Sequence, residues 1–164
     1  GVDFAPTIAA IVKAGIPVQG HIGLTPQTAS ALGGFKMQGK DAAAAKQIID
    51  DAKALEDAGV FSMILEAVPA PLGKLVAEAV SVPVIGIGAG PDVDGQVLVF
   101  HDVVGLFDRF VPKFVKQYIN VRKTIIEALK EYNRDVIAGT FPGPEHSFKM
   151  PAEALDRLKE MIEA

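Results

Sequence analysis

The sequence predicts an α/β fold built on a parallel sheet, and three observations carry that reading. Strand-like and helix-like stretches alternate along the chain, the order that parallel strands joined by helices produce. The strand interiors, FSMIL, VPVIGI and VLVF, are continuously apolar, as strands covered on both faces should be. At 164 residues the chain is long enough for one ordinary domain with a sizeable core.

The elements follow in order. Asp3 is placed to cap a first helix carrying Ile8, Ile11 and Val12, with Gly15 ending it. Residues 16–24 then read as a short apolar strand. Residues 25–40, TPQTASALGGFKMQGK, read as a long loop of the kind that carries function. Asp41 caps the next helix, with Ala45, Ile48, Ala52 and Leu55 on one face and Gly59 at its end. Residues 60–68 form the second strand. Leu72, Leu75, Val76 and Ala79 mark a short amphipathic helix, and residues 83–90 a third strand. A fourth strand is expected over residues 97–105. Only PDVDGQ precedes it, too little for an ordinary parallel crossover of a dozen or so residues. The strand is therefore expected to start late, near Phe100. A long helix with Phe114, Tyr118, Ile125, Leu129 and Tyr132 on one stripe comes next, stopped by Gly139. The FPGPEHS segment leads to a last helix over residues 151–163, with Leu155, Leu158, Met161 and Ile162 facing one way.

Two architectures fit this order: a small open sheet, or part of a (β/α)8 TIM barrel. A whole barrel takes eight strands and about 250 residues. A chain with four strands that begins on a helix would be the second half of one.

Composition narrows the function. The apolar fraction is 49% and the net charge −4, with basic residues not clustered, so nucleic acid is not the expected partner. Mean hydropathy is +0.30, which suits a chain that hides surface against more protein. There is no cysteine, which excludes a disulfide scaffold, thiolate-held zinc and a cysteine nucleophile, and fits the cytoplasm. No run of 18 apolar residues suggests a transmembrane helix, and GVDFAPTIAA does not read as a signal peptide.

Glu66 is the most informative residue. It ends the strand in VFSMILEAVP, just before Pro69, where parallel α/β enzymes place catalytic groups. A solvated strand-end carboxylate is the plain alternative. His21, in VQGHIGLTPQ, sits among glycines at the end of another strand, either delivered to a site or satisfied by loop backbone. His101 and Asp102 would end the fourth strand, and adjacent strand residues point to opposite faces, so at most one could join a shared site. His146 reads as structural or surface. The run Gly86-Ile-Gly88-Ala-Gly90 is neither GxGxxG nor a P-loop, and is expected to admit a close approach of backbone or ligand.

Taken together, VQGHIGLTPQ, GGFKMQGK, LEAVP, VPVIGIGAGPDVDGQVLVFHDVVGL and FPGPEHSF occur in an order and spacing that resembles the ketopantoate hydroxymethyltransferase family, from about residue 16 to residue 148. The resemblance implies a (β/α)8 TIM barrel, with residues 1–148 as its C-terminal half and residues 149–164 as a helical extension. It implies transfer of a hydroxymethyl group from 5,10-methylenetetrahydrofolate to 3-methyl-2-oxobutanoate, on the way to pantothenate, with Mg2+ chelating the keto acid. It puts Glu66 on the family's proton acceptor and His21 on an active-site histidine near the substrate. The partners it implies are a keto acid and a folate, while the cysteine-free composition points to the cytoplasm and the apolar tail helix and high mean hydropathy to a homo-oligomer. The family's magnesium ligands and a substrate-binding lysine belong to strands that precede Gly1, so no metal ligand is expected in this chain, and the chain by itself is expected to be inactive. Two other readings stay open: a carbon–carbon lyase of the isocitrate lyase type, and a non-catalytic half-barrel serving assembly.

Overall fold

A computed structural model describes residues 1–28 and 36–163. The middle of the expected long loop, including Gly33, Gly34 and Phe35 of the GGFKMQGK block, lies outside the described residues. The chain divides into two compact units, Gly1–Tyr118 and Ile119–Ala164.

The first unit is a four-stranded parallel sheet in the order β1-β2-β3-β4 with helices between the strands. Helix α1 spans Ala5–Lys13, β1 Gln19–Gly23, α2 Ala42–Asp57 and β2 Ser62–Glu66. Then come α3 at Ala70–Ala79, β3 at Val84–Ile87, the two-residue β4 at Gly95–Gln96 and the short α4 at Phe100–Val103. The expected α/β class and parallel sheet are present, and the first three strands lie where the apolar runs put them. Asp41 caps α2, its carboxylate accepting from the Ala44 N–H at 2.9 Å.

The sheet has two unlike faces. Ile22, Met63, Leu65 and Val84 are buried and join Ile48, Ala52 and Leu55 of α2 and Leu72 and Val76 of α3 in one core. On the opposite face His21, Ile64, Glu66, Ile85 and Ile87 are only half-buried. The strands are apolar on both faces, yet within this chain one face is fully covered.

Three expectations are corrected. The fourth strand does not run over 97–105 or start near Phe100. Instead Gly95 and Gln96 pair with Ile85 and Gly86, and the 88–94 turn is closed by Asp94, which both donates to the Val84 carbonyl and accepts from the Val84 N–H. Beyond it the apolar run has no further strand to pair with among the described residues, and it coils into α4, with the Val99 carbonyl accepting from Asp102 and Val103. A short, wholly apolar run does not distinguish strand from helix, which is why the pattern misled. Asp3 does not cap α1: residues Val2–Phe4 form a 3-10 turn, and α1 begins beside Pro6, whose missing N–H suits a first helical turn.

The second unit supplies the third correction. Helix α5 spans Val121–Ala138, capped by the Asn120 side chain, so Phe114 and Tyr118 precede it and do not share its stripe. Gly139 stops it in the left-handed conformation as expected. A further 3-10 turn, Pro144–His146, leads to α6 at Ala152–Glu163.

Candidate active site

The register of the sheet explains how Glu66 and His21 meet. His21 lies beside Ile64, and Gly23 beside Glu66. His21 and Glu66 are therefore diagonal neighbours on the half-buried face, a separation that long side chains span. The residue directly beside Glu66 is glycine, so no side chain stands between them. The His21 Nε2 lies 3.1 Å from Glu66 Oε2, with the side chains 31% and 13% exposed.

Neighbouring backbone fixes the main chain at Glu66 and Ala67. Gly23 has φ +82°, and a Cβ there would sit 2.3 Å from the Glu66 carbonyl oxygen, which accepts from the Leu24 N–H at 2.9 Å. On the other side, Ala67 donates to the Ile87 carbonyl at 2.9 Å and accepts from the Gln38 N–H at 2.8 Å. Ala67 itself has φ +51°, a left-handed conformation that costs a non-glycine residue about 1–2 kcal/mol. This strained turn directly after Glu66 leads the chain into Pro69 and α3.

Burial raises the Glu66 carboxyl above its ordinary range, and the neighbouring His21 opposes that shift by charge and hydrogen bond. The raised value makes the ionised group a stronger base than a solvated glutamate. It also makes a prediction about stability. In the window between the ordinary and the raised pKa, the folded state holds the proton more tightly than the unfolded chain, so stability falls as pH rises through that window. Below the window the carboxyl is neutral in both states and the penalty disappears. Glu66→Gln should therefore raise the thermal midpoint at neutral pH, by an amount that fades as the pH falls below the ordinary carboxylate value. Calorimetry across that range checks this, and a gain independent of pH would show that packing, not ionisation, is responsible.

Beside Glu66 opens a cavity of about 620 Å3. Leu24, Met37, Val68, Phe110 and Phe114 give it apolar walls, and Lys36 and Lys113 also line it. Gly88 (φ +68°) makes room for one wall: a Cβ there would lie 2.6 Å from the Phe114 ring. Gly90 lies as close to Ala70, where its Cβ would come within 2.4 Å. The glycine run thus admits close approach of neighbouring elements, as expected.

The other sequence candidates are elsewhere. His101 and Asp102 lie on α4, and neither lines the cavity. His146 is in the second unit, where its Nδ1 accepts from the Gly143 N–H at 3.3 Å and its ring lies 5.1 Å from that of Phe141. Phe110 and Lys113 are not singled out by the sequence, and Phe114 reads there only as part of a helix stripe; it is the fold that brings all three to the cavity beside Glu66. Among the described residues no three His, Asp or Glu side chains converge to hold a metal ion, so the magnesium implied by the family resemblance does not fit these residues.

A parallel α/β protein with a strand-end carboxylate, an imidazole against it and an apolar cavity alongside is of the class equipped to move a proton next to a small organic substrate. The sequence model of "Ketopantoate hydroxymethyltransferase" matches residues 1–144, and the chain belongs to that family. A "3-methyl-2-oxobutanoate hydroxymethyltransferase" of Syntrophobacter fumaroxidans is 62% identical over 146 residues, which are 89% of this chain and 52% of that protein. Its namesake in Heliobacterium modesticaldum is 59% identical over 93% of this chain and 55% of its own length. That of Oleidesulfovibrio alaskensis is 53% identical over 162 residues, 99% of this chain and 56% of its own length, so it has a counterpart to nearly all of the tail. The chain spans about half the length of the curated relatives it matches. Membership in this family sets aside the isocitrate lyase reading.

Proposed function

We propose that this chain is part of an enzyme that transfers a hydroxymethyl group from 5,10-methylenetetrahydrofolate to 3-methyl-2-oxobutanoate, giving ketopantoate for pantothenate synthesis. Glu66 is the proton acceptor and His21 stands next to it and to the substrate. The observation that carries the reading is the 3.1 Å His21–Glu66 pair, whose Glu66 lines an apolar cavity, in a chain of this family.

The chemistry asks for what the pair offers. The C3 hydrogen of the keto acid is weakly acidic because the adjacent carbonyl accepts the electrons that it leaves behind. The Glu66 carboxylate takes the C3 proton, and the C–H electron pair becomes the enolate. The enolate carbon then forms a bond to the one-carbon unit as one of that unit's two C–N bonds breaks. Water replaces the remaining C–N bond, its oxygen becoming the hydroxyl and a proton going to the folate nitrogen, so that ketopantoate and tetrahydrofolate leave. Partial burial strengthens Glu66 as a base, while its contact with His21 keeps the carboxylate fixed in one orientation. Mg2+ belongs to the proposal through the family resemblance, on ligands that the described residues do not supply.

The proposal includes the second half of a (β/α)8 barrel over residues 1–148, followed by a helical tail over 149–164. Its support is the half-buried sheet face bearing Ile64, Ile85 and Ile87, which a closing set of strands would cover as a barrel interior. A cytoplasmic homo-oligomer completes it. Among the described residues no helix is long and apolar enough to cross a membrane, and α6 exposes Leu155, Leu158, Met161 and Ile162 along one stripe.

The test is direct. The full-length protein is given 3-methyl-2-oxobutanoate and tetrahydrofolate carrying a 13C-labelled methylene group. Carbon NMR should show the label arriving in the hydroxymethyl group of ketopantoate. Label that stays on folate would overturn the proposal.

A further inference from the structure

We infer that the cavity beside Glu66 seats the folate donor, with its glutamate tail held at the rim by Lys36 and Lys113. The inference rests on the function proposed above and adds to it the placing of the second substrate.

The geometry restricts where a donor can be. The carbon that loses its proton to Glu66 is the carbon that must meet the one-carbon unit. The reactive end of the donor therefore has to lie within bonding reach of a keto acid that itself touches Glu66. The described structure has a cavity at that place. Its volume of about 620 Å3 falls within the range of about 300–1,000 Å3 found for small-molecule sites.

Its walls match a folate in kind. A folate joins a flat heterocycle and a benzoyl ring to a tail with at least two carboxylates. Met37, Val68 and the ring of Phe114 offer apolar surface to the flat part, and Phe114 is held in place by its approach to Gly88. Lys36 and Lys113 are both exposed while lining the same cavity. Exposed lysines suit carboxylates that stay partly in water, each a flexible point charge that can follow a mobile tail. Among the described residues Glu66 is the one acidic residue lining this cavity, so the anionic end is expected away from it and towards the lysines. The small keto acid does not need a space of this size.

The test uses the full-length protein and binding as well as turnover. The probes are 5-formyltetrahydrofolate with one glutamate, the same compound with five, and 6-methyltetrahydropterin, which has no tail. The double variant K36A/K113A should bind the one-glutamate folate about fivefold or more weakly, lose more on the five-glutamate form, and bind the pterin as the wild type does. Added salt should weaken the wild type on tailed folates and affect the variant much less. In turnover KM for the donor should rise, with kcat and C3 proton exchange of the keto acid little changed. K36R/K113R should keep most of the wild-type affinity, which separates charge from fold. Equal affinity of wild type and K36A/K113A for both tailed folates, an equal loss on the tail-less pterin, or no folate binding by the wild type would each overturn the inference. Tail-dependent binding without any ketopantoate formed would instead leave this site standing and remove the function proposed above.

Discussion

Glu66→Gln in the full-length protein should lower kcat by about 10²-fold or more, the scale expected when a general base is removed, while the fold is kept. The substitution is nearly isosteric, and the neutral amide can still meet His21, so the sheet register and the turn at Ala67 have no reason to change. What is lost is the ability to accept a proton. The amide also cannot take the raised pKa that burial gives the carboxyl. KM for the keto acid should change far less than kcat, because the difference between Gln and Glu is felt mainly when the proton moves. Steady-state kinetics beside a circular dichroism spectrum checks both parts. A variant that keeps more than a tenth of the wild-type kcat would contradict the role given to Glu66.

The 164-residue chain by itself should form no ketopantoate. Among the described residues β1 and β4 are edges of the sheet, each with a strand on one side only. A closed barrel has no edges, and exposed edges invite pairing with other chains. The face that carries His21 and Glu66 is half-buried, so the water that a proton-transfer site must limit has access to it. Phe61, Phe100 and Phe110 are all more than half exposed, an arrangement that favours association over a free monomer. Since no three potential ligands converge among the described residues, calorimetric titration of this chain with magnesium should show no micromolar site. Gel filtration should show a species larger than 17.3 kDa, and co-expression with the N-terminal half of a relative should restore transfer. An active, monodisperse monomer would contradict the half-barrel proposal.

Much of the first unit was legible because local and long-range signals agree there. Asp41 before an amphipathic run marks a capped helix, and the structure has the cap. The SMILE strand runs through Met63, Ile64 and Leu65 to its last position, so a carboxylate at that point was conspicuous, and the strand indeed ends on Glu66. His21 was visible as a polar residue among glycines. That it meets Glu66 was not visible, because the contact depends on the parallel register that sets Gly23 beside Glu66. The run QVLVFHDVV could be strand or helix by pattern. What decides is the lack of a further strand beside β4 among the described residues, a long-range fact. Phe114 looked like a helix-stripe residue by spacing, whereas the space left at Gly88 draws it to the cavity instead. Lys36 belongs to the GGFKMQGK stretch, but nothing local links it to Lys113, far along the chain. The continuous apolar strands predicted cover on both faces, and this chain covers one fully.

The most direct test of the central claim, that Glu66 removes the C3 proton, leaves the folate out. 3-Methyl-2-oxobutanoate is incubated with the full-length enzyme in deuterium oxide, and loss of the C3 proton signal is followed by NMR. The account predicts steady exchange with the wild type, slowed about 10²-fold or more by Glu66→Gln and unaltered by K36A/K113A. Exchange at the wild-type rate in Glu66→Gln would contradict it.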